Sequence, residues 1–130
     1  MPARHQTQAL RLPAGADLTG KEGYFVTLSG GSAILATSSA TAADIFGCVN
    51  CGDESGQPAD LFLPGYSGLV DVAVESASAD SVAIGTRLMV GASGAAAVAS
   101  TGVAVAVAVS TVADGRCLAR LIEPVTVAGS

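Results

Sequence analysis

The run "TGVAVAVAVSTVADG", Thr101 to Gly115, restricts the possible folds of this chain more than any other stretch. Preceded by "GAAAVAS", it looks at first like a membrane span, which needs about 20 apolar residues without turn signals. Ser93-Gly94 and Ser100-Thr101-Gly102 cut it into pieces, and the unbroken part, Val103 to Val109, has only the length of a strand. On a strand, Val103, Val105, Val107 and Val109 share one face, and Ala104, Ala106 and Ala108 share the other. Neither face carries a polar group, so both need cover, because an uncovered strand of this kind invites edge pairing. The valine face suits a barrel interior, and the flat alanine face suits close approach by a neighbouring layer or subunit.

The rest of the chain reads the same way, as short apolar runs punctuated by Gly, Ser, Asp and Pro. "YFVTLS", the turn "GGS" and "AILAT" form a hairpin. "IFGCVN", the polar loop "CGDESGQ" and "ADLFLPG" follow, and "SGLVDVAVE" alternates wet and buried positions. "TRLMVGA", "SG" and "AAAVAST" make a second hairpin, while Asp114-Gly115 suits a turn between "GVAVAVAV" and "RCLARLIEP". No segment sustains a capped 3.6-residue apolar period. The expected class is therefore all-β: a small β-barrel or β-sandwich of hairpins with little helix. Residues 1–22 read as an extended N-terminal arm or a frayed terminus, and residues 23–130 as a single barrel-like domain.

A weak internal echo is visible. "VTLSGGSAILATSS" matches "LMVGASGAAAVAST", and "FGCV…ADLFLP" matches "TGVAVAVAV…CLARLIEP", at offsets of roughly 55 to 64 residues. Either two related halves close the fold, or segments rich in Ala, Gly and Val match by low complexity.

The totals narrow the function. Half of the residues are apolar but only 4% are aromatic, so the core is built from small aliphatic side chains. Such a core buries little area per residue, and oligomerisation is a common remedy. Six Lys and Arg, scattered and outnumbered by 11 acidic residues, make no face for nucleic acid phosphates. The start of the chain has no apolar signal region, which points to synthesis in a cytoplasm. Three cysteines argue against a disulfide framework.

Catalytic constellations are missing. The one histidine, His5, sits in the arm, where nothing fixes it as a base for a nucleophile. Asp53 and Glu54 read as solvated loop charges, and Asp71 and Glu75 as the wet face of a strand. "CVNC", Cys48 to Cys51, could chelate zinc or exchange thiols. Only Cys117 and His5 could complete a zinc site, and a polar loop rather than a helix follows the pair. No metal or cofactor is expected, and no enzyme activity.

Across residues 23–124 the chain resembles the small capsid decoration, or cement, proteins of tailed bacteriophages. The features that carry the resemblance are Ile45 to Val49 with Gly47, "GLVDVAV" at Gly68, "GTRL" at Gly85, "ASGAA" at Gly94, "GVAVA" at Gly102 and "DGRCLARLIEP", in that order. The resemblance implies a β-barrel-like domain on the outer surface of the virion that clamps the phage major capsid protein, commonly as a homotrimer at three-fold positions. The "CVNC" cysteines and the long arm depart from the family pattern. On this reading Arg4, Leu10, Arg11 and Leu12 are candidates for docking the arm on the capsid, and Ala104, Ala106 and Ala108 for packing between subunits or layers. The alternatives are a β-rich module of a phage tail or surface assembly, and a small binding protein or enzyme that uses its thiols.

Overall fold

The alternating runs become antiparallel strands in the computed structural model, which describes residues 9–37, 44–64, 66–99 and 102–127. Strands β1 (Ala9–Pro13), β2 (Phe25–Ser29), β3 (Ser32–Leu35), β4 (Ile45–Cys51) and β5 (Pro58–Phe62) form one sheet in the order β1-β5-β4-β2-β3. Strands β6 (Leu69–Ala73), β7 (Arg87–Val90), β8 (Ala96–Val98), β9 (Gly102–Ala108) and β10 (Arg116–Val127) form a second, in the order β6-β10-β9-β7-β8. A 3-10 helix at Ser76–Ser81 links β6 to β7. The chain is all-β, as its periodicity predicts.

The two sheets have one topology, and the likeness reaches single hydrogen bonds. In each, the edge strands meet through one parallel bridge, Ala14 with Ala33 and Val74 with Ala96, so each sheet curls toward a barrel. The Gly15 amide donates to Ala33 O at 2.7 Å as the Glu75 amide does to Ala96 O at 2.8 Å. Gly23 donates to Val49 O at 2.9 Å and Gly85 to Ala108 O at 2.7 Å, while Ala36 to Phe25 O and Ala99 to Arg87 O are both 2.9 Å. Both second strands slip register against their inner neighbour, at Val26/Thr27 and at Leu88/Met89. Matched positions lie about 60 residues apart, so the weak echo is a structural repeat.

Turn chemistry fixes the hairpins. Gly30 and Gly31 take φ of 60° and 86°, and Asp114 and Gly115 take 54° and 75°. Two successive positive φ values suit the right-handed twist of the flanking strands.

The interiors follow from the equivalence. Val26, Val49, Leu61, Ala59, Ala33 and Ala14 fill the first barrel, and Leu88, Ala108, Ala119, Cys117, Ala96 and Val74 stand at the matching positions of the second. Where the first half has Val49 and Leu61 the second has alanines, and where the first has Val26 and Ala14 the second has Leu88 and Val74. Exchanging large and small residues in this way keeps the filled volume nearly constant.

That exchange corrects the expected orientation of β9. Ala104, Ala106 and Ala108 are fully buried, while on the valine face Val105 is buried at 2% exposure and Val103, Val107 and Val109 are only partly so. Ala106 lies between Leu88 on β7 and Leu121 on β10 and is fully buried. The alanine face therefore looks into the chain's own core and has no surface left to offer another subunit.

The arm is corrected too. Residues 9–13 are edge strand β1, paired to β5 from Ala9↔Phe62 to Pro13↔Pro58. Ala14 and Leu18 are buried behind it. "ALRLP" stands to the first barrel as "LVDVA" stands to the second.

Candidate interaction surfaces

The expected docking residues fall in different surroundings. Arg4 and His5 lie outside the described residues. Leu10 and Leu12 pair with Leu61 and Ala59, whose side chains face the first core. Leu12 is half-buried against that core and so is unsuited to docking; Leu10, 41% exposed, stands at its rim. Arg11 points the other way, and its Nε donates to Asp60 Oδ1 at 2.7 Å. Asp60 raises the Arg11 pKa by hydrogen bonding and by its charge. An exposed pair of this kind adds little stability.

The thiols are dispersed rather than convergent. Cys48 is buried where the two halves meet, Cys117 is buried in the second barrel, and Cys51 is exposed; all three are free. Burial pushes the Cys48 thiol up to about 12, partly opposed by the Arg116 charge. Burial and Asp71 also raise Cys117. A thiol held protonated is a poor nucleophile and a poor metal ligand. Among the described residues, no three His, Cys, Asp or Glu side chains gather as a metal site. No helix among them is long and apolar enough to cross a membrane.

The surface depressions are built for structure. One of about 430 Å³ is lined by Asp71, Ser110, Asp114, Arg116 and Leu118, among others. In it Ser110 Oγ donates to Thr111 O at 2.9 Å and accepts from the Leu118 amide at 3.0 Å, so this hydroxyl is engaged by backbone. A second, of about 230 Å³, opens between the halves beside Glu22, Phe62, Leu69 and Arg116. There Arg116 crosses the junction by donating to Glu22 O at 2.8 Å, and within its own half it donates to Asp71 O at 3.2 Å.

The junction itself is one-sided. Phe25, Ile45 and Cys48, from the outer face of the first sheet, are buried against the second half, and Phe62 packs beside them, 4.4 Å from Tyr66 between ring centroids. The Phe25 amide donates to Gly94 O at 2.9 Å and the Ala73 amide to Gly23 O at 3.1 Å. In the second half, Arg87, Val107 and Arg120 stand where Phe25, Cys48 and Phe62 stand in the first, and they form a row across neighbouring strands. Arg87 and Arg120 are exposed, and neither makes an ion pair among the described residues. Ile84, 75% exposed, adjoins the row.

The search by residue type missed this face, although "R-x-L-x-R" at Arg116, Leu118 and Arg120 shows an outward strand face in the sequence. No protein-family model matches the chain, and no curated protein matches it.

Proposed function

We propose that this chain is a structural virion protein, a trimer that binds the outer surface of a tailed-phage capsid and stabilises it by bridging major capsid protein subunits. The observation that carries the reading is the order of the motif pieces across residues 23–124, which resembles that of capsid decoration proteins. Those pieces fall on successive strands and turns of the fold, from Gly47 on β4 to the closing strand β10. The scattered thiols, two of the three buried, and the Ser110 hydroxyl engaged by backbone bonds also favour a structural role over a thiol enzyme.

Multivalency supplies the affinity in this reading. Several modest contacts on one rigid oligomer raise avidity by about 10²–10⁴ over a single contact. The arm reading changes with the fold. Residues 9–22 already belong to the first barrel, so Leu10, Arg11 and Leu12 are held there as part of the fold.

The test is co-sedimentation of purified protein with expanded capsids of tailed phages, followed by a map of the decorated particle. Density for two-barrel units on the head shell supports the reading. Density on a tail would assign the chain to a tail assembly, and no binding to any head would refute the capsid role.

A further inference from the structure

We infer that a second copy of this chain docks head-to-tail on the exposed arginine face of the second barrel, repeating between copies the junction that joins the two barrels within one copy. The pairing rests on the fold. Only the copy number, three, is taken from the trimer proposed above.

The argument starts from the asymmetry of the internal junction. The first barrel contributes a head: the edge at Gly23 and Phe25 with the outer face behind it. The second contributes a tail: Ala73 and the turn at Gly94, where its edge strands close. Were the junction two-fold, the head of the second barrel would also meet the tail of the first. It does not. Phe25 is 2% exposed while its counterpart Arg87 is exposed, and Gly94 is buried while its counterpart Gly31 is exposed. A Cβ placed on Gly94 would touch Phe25 O and Ala36 O across the junction at 3.3 and 3.4 Å, a contact Gly31 lacks.

One copy therefore ends in an unmatched head, at Ile84, Arg87, Val107 and Arg120, and an unmatched tail, at Pro13 and the turn at Gly31. A heterologous contact with both ends open closes into a ring or runs on as a filament. Three copies in a ring would alternate six barrels. The tail is also the place where edge strands β1 and β3 come together, and sheet edges need cover. Charge points the same way. Arg87 and Arg120 make no ion pair among the described residues, and a second copy approaches them with a net charge of −5. Arginine in place of buried Phe25 and partly buried Phe62 suits an interface that forms after folding, since Arg is enriched in such contacts.

The test compares sedimentation of the wild type with variants at each end: Arg87→Glu with Arg120→Glu at the head, and Pro13→Lys with Ser32→Lys at the tail. At about 100 µM, where a micromolar contact is populated, the wild type should sediment with the mass of three 12.6 kDa chains. Both variants should sediment as monomers with unchanged far-ultraviolet circular dichroism. A monomeric wild type overturns the pairing and the solution trimer together. An oligomer that survives in either variant overturns the pairing alone. A second readout avoids any folding defect: in a Cys51→Ser background, Arg87→Cys and Ser32→Cys chains should form disulfide-linked dimers when mixed and none when oxidised separately. Self-linking of Arg87→Cys chains would show a two-fold contact and refute the head-to-tail arrangement.

Discussion

Replacing Phe25 by Ala tests whether the two barrels fold as one unit. The ring is 2% exposed and sits where the first sheet meets the second half. The space around it, lined by Ile45, Gly47, Val105, Leu121 and Pro124 among others, leaves a void of only about 10 Å³, too little to take a water comfortably. The truncation therefore loses the transfer term of a buried aromatic, roughly 1.5–3 kcal/mol, and adds a cavity that neighbours anchored in two sheets cannot close. Together these predict a loss of about 3–5 kcal/mol. For a domain of this size that corresponds to a melting point lower by about 10–20 °C. The chain has no Trp, so the assay is urea unfolding followed by far-ultraviolet circular dichroism. The midpoint should fall with the slope unchanged. Exposed Leu28→Ala should stay within about 0.5 kcal/mol. A loss below about 1 kcal/mol at Phe25 would refute the packed junction, and two separate transitions in the wild type would refute the single cooperative unit.

The buried thiol predicts alkaline sensitivity. Burial pushes the Cys48 thiol up to about 12 from the 9.0 of a free cysteine, so its contribution is complete below pH 9 and is lost as pH rises toward 12. Cys48→Ala should flatten that part of the stability profile, and a thiol reagent at neutral pH should label Cys51 alone until the chain unfolds. Arg116→Ala removes one bond across the junction, to Glu22 O, and one within the second half, to Asp71 O, and should cost about 1.5–3 kcal/mol in the same urea assay. Arg116→Lys should recover only part of it, because an ammonium cannot reproduce the planar fork; full recovery would show that charge alone matters. Gly52→Ala would drive its Cβ into the Leu18 carbonyl, and an expected loss of about 1–3 kcal/mol should appear as a lower urea midpoint.

Period-two alternation was enough to read the all-β class, both hairpins and the turn at Asp114-Gly115. The repeat was faintly visible, because loops between equivalent strands differ in length and blur the offset. Strand β1 was not legible: "ALRLP" is short, ends in Pro and follows a polar stretch, and it is a strand because β5 supplies its partner. No residue-type search could flag Arg87 and Arg120 as an interaction face, since their meaning lies in what Phe25 and Phe62 do at the matching positions.

The sequence by itself determined that Val103 to Val109 is a strand with two apolar faces, because side chains alternate whatever surrounds them. It could not determine which face turns inward, since alternation has a period but no sign. The tertiary structure decided that through packing: with Leu88 and Leu121 on the strands either side, Ala106 is enclosed in the core. The same structure decided that one barrel's outer face is covered and its twin's is open, because cover depends on the neighbour and not on the strand.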